Sequence, residues 1–353
     1  MIRSIITGTG SFISDRKIEN RHFSCHEFFD EEGRKLERSN EEIIRKLKEI
    51  TCIEERRYIP DDLKTSDMAH IAGRLALENT DMETLDFIIV AHNFGDVRSG
   101  CTRADMVPSI AARVKHKLSI KNPYTVAFDI PFGCPGWIHG MILADYYIRS
   151  GDFKKILVIG AETLSRVSDP HDIDSMIYAD GAGAALVEAT TKDAGILSHA
   201  SRSDTLDKAF LLWLDRSYSP HHQGDDLYIK MHGHEIYKYA VKTVPEVVKQ
   251  CLDKLGMTLA DIRKILVHQA NQKMDEAILK RLFSLYKEKN IPDHIMPMTI
   301  ATLGNSSVAT LPTMFDLIKR GRLENQELRS NDLVVFASVG AGMNTNAMVY
   351  KMP

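Results

Sequence analysis

Continuous apolar runs of strand length recur along the chain: SIITG (4–8), DFIIVAHN (86–93), TVAFDI (125–130), KKILVIGAE (154–162), GAALVEA (183–189), RKILVHQAN (263–271), DLVVFASVG (332–340) and NAMVYK (346–351). Several are rich in Val and Ile and alternate little, the pattern of strands covered on both faces. Between them apolar positions fall at helical spacing, in SDMAHIAGRLALEN, WIHGMILADYYIRSG, HEIYKYAVKTVPEVVKQCLDKLG, QKMDEAILKRLFSLYKEK and ATLPTMFDLIKRG. Ser66 is the expected N-cap of the first helix. Gly151, Gly256 and Gly321 stand where helices should stop. Pro245, inside one helical pattern, marks a kink or a start. Strands alternating with helices predict a layered α/β fold.

The two halves of the chain echo each other. FIIVAHN and KILVHQAN are apolar runs ending in His and Asn, and KILVIGAETLS and DLVVFASVGAG are apolar runs ending in small residues. The echo predicts a duplicated α/β unit, with halves 1–190 and 191–353 and a site where they meet. Residues 201–235 are polar and irregular and are expected to form an excursion between the halves.

Composition narrows the function. The 353 residues are 44% hydrophobic and 26% charged, with a formal net charge of -3. A nucleic-acid binder should show a basic footprint, and this chain does not. No apolar run reaches the ~18 residues of a membrane span. The start, MIRSIITGTGSFISD, meets Gly and Asp too early for a signal peptide. The cysteines (Cys25, Cys52, Cys101, Cys134 and Cys251) are scattered and odd in number, so neither a disulfide framework nor a zinc site is expected. A reduced, cytoplasmic protein fits.

Cys134 lies between a strand and a helix, in FGCPG. A helix mouth would favour its thiolate, and the flanking glycines would let a substrate approach the backbone. A small buried hydrophobe is the alternative. His268 and Asn271 lie where a buried strand ends, the edge at which α/β sheets hold ligands; a structural histidine is the alternative. Asn305, in TLGNSSVATLPTM, is either a site residue or a turn residue. The glycines of SVGAGMN could aim an N–H at an oxyanion or simply form a turn. The pairs His221–His222 and His232–His234 lack a third ligand in register. ITGTG and DGAGAA are not followed by a dinucleotide-binding pattern, and no GxSxG is present.

Taken together and in order, IITGTGSFIS, ITCIEERRYI, AFDIPFGCPG, ILVIGAETLSRVSDPHD, YADGAGAAL, ILVHQAN, LGNSSVATLP and SVGAGMN resemble the β-ketoacyl-acyl-carrier-protein synthase III group of thiolase-fold condensing enzymes. The resemblance spans nearly the whole chain. It implies two similar five-stranded halves in a five-layered α-β-α-β-α arrangement, and a homodimer. It places the family's nucleophile on Cys134, its catalytic histidine on His268 and its catalytic asparagine on Asn305. It places the oxyanion hole on the N–H groups of Cys134 and Gly342. The implied reaction is acylation of Cys134, then decarboxylative Claisen condensation with a malonyl thioester in fatty-acid or related lipid synthesis. It implies no cofactor beyond the thioester substrates. It also implies an acidic carrier protein as partner, docked on Lys238, Lys273, Lys280 and Arg281. An acyltransferase that stops after loading Cys134 is an alternative, and a non-catalytic scaffold is another.

Some positions depart from the family pattern. The pair that clamps the adenine of coenzyme A corresponds to Lys46 and Ile173, which cannot form an aromatic–guanidinium sandwich. Phe132 is bulkier than the residues common before the cysteine. Val107 falls near the aromatic that caps the acyl tunnel across the dimer interface. These changes are expected to reshape the acyl pocket. They suggest a specialised paralogue joining longer acyl units, of the dialkylresorcinol or aryl-polyene type.

Overall fold

A computed structural model describes residues 2–353. The first half runs β1 (Arg3–Phe12), β2 (Lys17–Glu19), α1 (Asn40–Thr51), β3 (Glu55–Arg57), α2 (Thr65–Ala76), β4 (Phe87–His92), β5 (Asp96–Val97), β6 (Ala104–Asp105), α3 (Ile110–Lys117), β7 (Val126–Pro131), α4 (Gly136–Ser150), β8 (Lys155–Thr163) and β9 (Asp180–Thr190). The second runs β10 (Gly195–Ser203), β11 (Leu212–Asp215), β12 (Tyr228–Met231), α5 (Gly233–Asp253), β13 (Ile262–Val267), α6 (Gln272–Leu285), α7 (Ile300–Leu303), α8 (Thr310–Lys319), β14 (Leu333–Gly340) and β15 (Asn344–Lys351).

Two main sheets result. The first has the order β1-β9-β8-β4-β7, and the second β10-β15-β14-β13. In each, the first two pairings in that order are antiparallel and the next is parallel. The echo between halves is therefore a shared topology, but the second sheet has four strands rather than the expected five. The place beside β13 is taken by residues 292–298, where Ile265 N–H donates to the Ile295 carbonyl at 2.8 Å. Pro292 and Pro297 in this segment lack the N–H groups that a ladder needs.

Helices α4 and α8 lie between the sheets. Trp137, Ile138, Met141, Met314 and Phe315 share one core with residues of both, including Val158 and Phe336. Helix α2 and helix α3 cover the outer face of the first sheet; α5 and α6 cover that of the second. This is the five-layered stack. Close approach of the central layer requires glycine: a Cβ on Gly160 would lie 2.4 Å from the Val308 carbonyl oxygen, and one on Gly183 2.5 Å from Thr313 N.

Local expectations met mixed outcomes. Ser66 is not the cap of α2, which begins at Thr65 behind Lys64. Ser66 instead gives its N–H and hydroxyl to Asp96, at 2.7 and 2.8 Å. Helix α5 runs through Pro245 without stopping. The first residues of the expected excursion belong to β10, and its remainder folds into the antiparallel hairpin β11–β12.

Candidate active site

Three chain reversals converge between the halves. After β7 the chain turns through residues 132–135, with Gly133 at φ +71°, and enters α4. This turn is pressed against residues 340–341, since a Cβ on Gly340 would sit 2.7 Å from Cys134 N. The second reversal follows β13, where His268 N–H bonds to the Ala337 carbonyl at 2.9 Å. The third follows α7. Gly304 adopts φ +64°, and a Cβ there would meet the Arg56 Cβ at 2.8 Å. Asn305 is then pinned on both sides, its N–H to the Ile177 carbonyl at 3.0 Å and its carbonyl to Ala179 N–H at 2.9 Å.

Cys134, His268 and Asn305 thus line one cavity of about 240 Å³, together with Asn93 and Ser307. Its other walls are mostly apolar and include Leu164, Leu212, Trp213, Ile229, Met231 and Ile236. The hairpin β11–β12 is therefore a wall of the site. Apolar walls around a few convergent polar groups are the usual form of a small-molecule site.

Electrostatics corrects one expectation. Cys134 is not held as a resting thiolate: burial pushes its thiol up to about 11, with the Ser307 hydroxyl opposing and the Glu162 charge adding to the rise. Desolvation of the charged sulfur is the largest of these effects. The residue nevertheless remains partly open, so the sulfur can be reached from the cavity. His268 is pulled down to about 4 by burial, against a backbone hydrogen bond to Ser307. It is a neutral imidazole at physiological pH, and its Nδ1 has no partner. The Asn305 Oδ1 accepts Ser307 N–H at 2.8 Å, which leaves the amide N–H₂ as the free end.

Other expected site residues divide. Asn271 caps α6, accepting Met274 N–H at 3.2 Å, so its role is structural. Gly342 does not line the cavity; Gly340 and Ala341 do. Gly342 instead takes up the left-handed turn at φ +72°, one residue past the cavity wall. Phe132 lies off the cavity and stacks on His139, ring centroids 4.2 Å apart. Val107 is 85% exposed and does not line the cavity of its own chain.

Lys273, Lys280 and Arg281 are exposed on α6. Lys238, on α5, pairs with Glu235 at 2.8 Å. Lys46 and Ile173 line one surface groove with Leu47 and Ile50, and no aromatic ring borders it. The His232 ring packs tilted against Trp213, centroids 4.5 Å apart. Among the described residues no group of His, Cys, Asp and Glu could hold a metal.

Sequence reasoning missed Asn93, Glu162, Ser307 and the hairpin wall. Ser307 follows Asn305 by two residues, and Asn93 ends an apolar strand as His268 does. Those were the available signals.

The layered fold and a cysteine, histidine and asparagine around one cavity define a thiolase-like condensing enzyme. The family model for 3-oxoacyl-[acyl-carrier-protein] synthase III matches residues 128–205, and its C-terminal counterpart matches residues 252–352. The chain belongs to the 3-oxoacyl-[acyl-carrier-protein] synthase III family. It is 32% identical over 347 residues to a β-ketoacyl-[acyl-carrier-protein] synthase III of Halalkalibacterium halodurans, covering 97% of this chain and 96% of that one. The similarity to the Geobacillus kaustophilus protein of that name is also 32%, over 349 residues and 98% of each chain. Among solved structures, the 3-oxoacyl-[acyl-carrier-protein] synthase III of Aquifex aeolicus superposes with a TM-score of 0.79 at 29% identity, covering 99% of both chains.

Proposed function

We propose that this enzyme joins an acyl group, loaded as a thioester on Cys134, to the two-carbon unit of a malonyl-carrier thioester. The observation that carries this reading is the meeting of Cys134, His268 and Asn305 in one mostly apolar cavity. In the first stage the sulfur attacks the acyl thioester carbonyl. The Cys134 thiol proton leaves as the bond forms, and the departing carrier thiolate recovers a proton. Backbone N–H groups of Cys134 and Ala341 border the place of the developing oxyanion.

In the second stage the malonyl carboxylate leaves as CO₂ and an enolate forms. His268 and Asn305 supply N–H donors to its oxygen. A carboxylate in place of Asn305 would repel that charge. The carbanion attacks the acyl carbon, the Cys134 thiolate leaves, and a 3-oxoacyl thioester results. The thioesters carry the chemistry, and the reading calls for no cofactor. The test is CO₂ release coupled to 3-oxoacyl product. Loading without CO₂ release would instead support an acyltransferase.

An acidic carrier protein is the partner this reading calls for. Lys273 and Lys280 are seven residues apart on α6 and so share a face, with Arg281 beside them. The groove of Lys46 and Ile173 lacks a ring to stack on adenine, which favours a carrier-borne acyl donor. Strand β7 is the open edge of its sheet, and Tyr124 and Val126 beside it are exposed. Edge-to-edge pairing of two copies would cover both, which supports a homodimer. No helix among the described residues is long and apolar enough to cross a membrane, and the reading places the enzyme in the cytoplasm with its carrier.

A further inference from the structure

The sulfur of Cys134 has a hydrogen-bond donor that the three-residue description of the site leaves out. Ser307 Oγ donates to Cys134 Sγ at 3.2 Å. Behind it, Asn93 Nδ2 donates to Ser307 Oγ at 3.2 Å. The same amide nitrogen donates to Glu162 Oε2 at 2.5 Å, and Asn93 N–H donates to that oxygen at 2.7 Å.

The directions in this chain are fixed by counting hydrogens. Glu162 Oε2 already accepts the Asn93 backbone N–H, so this oxygen is the acceptor and selects the amide orientation that turns Nδ2 toward it; burial raises the carboxyl's hold on a proton, and Oε1 is the oxygen without a partner. One Nδ2 hydrogen goes to Glu162 and the other to Ser307. The Ser307 oxygen therefore accepts from behind, and its single hydrogen is left for the sulfur. Ser307 is buried and held at φ +52°, a region a non-glycine residue seldom adopts. Backbone strain of this kind collects at functional sites. Here it lets one residue serve two partners, with its N–H on the Asn305 side chain and its hydroxyl on the nucleophile.

We infer that Ser307 is a further catalytic residue, whose hydroxyl stabilises the Cys134 sulfur as it gains negative charge, and that Asn93 and Glu162 are positioning residues that orient this hydroxyl. A hydrogen bond to a charged acceptor is about twice as strong as one between neutral groups. The Ser307 donor therefore strengthens as the thiol proton departs. It acts twice, when sulfur attacks the acyl carbon and when sulfur leaves it during condensation. Ser307 keeps its own proton throughout. The bond formed in loading is Cys134 S–C(acyl), the bond broken is carrier S–C(acyl), and the proton lost by Cys134 returns to the carrier thiol.

This inference rests on Cys134 being the nucleophile, and the experiment separates the two claims. Loading of full-length protein by an acyl thioester is followed by mass spectrometry against pH, for wild type, Ser307→Ala, Asn93→Ala and the double variant. Removing a hydrogen bond to a charged group should slow loading by about 10- to 100-fold in Ser307→Ala and move its pH profile upward by about one unit. Asn93→Ala alone should slow loading less and move the profile the same way. It should add nothing in the Ser307→Ala background, the mark of action through Ser307. Should Ser307→Ala fail to fold, the pH shift of Asn93→Ala decides. Wild type that never carries acyl on Cys134 overturns the underlying reading. Wild type that loads on Cys134, with variants of unchanged rate and profile, overturns the role of Ser307 alone.

Discussion

His268 is a buried imidazole with a proton affinity well below that of a free one. Its value falls from 6.5 to about 4 on folding. Above pH 6.5 the ring is neutral in both states and its contribution to stability is fully present. As pH falls toward 4 the unfolded chain binds a proton that the folded chain refuses, and stability is lost. At ~1.4 kcal/mol per pH unit, the whole effect is about 3 kcal/mol. Urea unfolding of wild type and His268→Gln between pH 7 and 4 should show a shallower decline in the variant; parallel curves would contradict the assignment. The same residue tests catalysis. His268→Ala should still load Cys134, while condensation falls by about 10²- to 10³-fold, the loss typical for one removed oxyanion donor. Burial also keeps Cys134 a thiol, so its alkylation by iodoacetamide should keep rising with pH beyond 9 rather than level off near neutrality.

The hairpin β11–β12 shows what one element does for the cavity. One set of its side chains, including Leu212, Ile229 and Met231, forms wall. Lys230 points the other way and is fully buried. Its Nζ donates to Asp169 at 2.6 Å and Asp172 at 3.2 Å, and lies 3.3 Å from the Tyr218 ring centroid. Ile229 N–H also bonds the Val167 carbonyl at 2.8 Å. Removing Lys230 would strand two carboxylates, so Lys230→Ala should cost about 3–5 kcal/mol and speed hydrogen exchange across residues 212–231. An unchanged exchange pattern would rule out this anchoring.

None of this was legible in the sequence. In residues 201–235 Lys230 is spent on a buried pair while Arg216 pairs with Asp225 at the surface, and this mixture leaves no periodicity to read. Strands β4, β8, β13 and β14 were legible because both faces are covered. Helix α1 was legible but went unread: Ile43, Ile44, Leu47 and Ile50 fall at helical spacing behind a Ser39 cap. Helix α3 and strand β10 were not legible, because their short or interrupted apolar patterns resemble loop. Cys134, His268 and Asn305 were legible through motif order. Asn93, Glu162 and Ser307 were not, because their partners lie far away in the chain and only the fold joins them. The one-residue difference between Gly342 and Ala341 has the same origin: spacing locates a turn, but only packing shows which residue lines the cavity.

At the scale of the whole molecule, the proposed reaction brings a substrate carried by another protein to the cavity between the halves. Charge should govern that meeting more than the chemistry inside. Lys273→Glu with Lys280→Glu should raise KM for malonyl-carrier substrate by about tenfold, and the effect should weaken as salt rises. Loading from a small acyl thioester should be unchanged in the same variant. Equal loss with both substrates would place these lysines elsewhere in the mechanism.

The most direct test follows one sulfur through a full turnover. Intact protein is exposed to a panel of acyl thioesters and weighed, the modified residue is mapped, and malonyl-carrier thioester is then added. The account predicts an acyl adduct on Cys134 that disappears with release of CO₂ and appearance of a 3-oxoacyl thioester. An adduct confined to another cysteine, or one on Cys134 that survives malonyl addition, would contradict it.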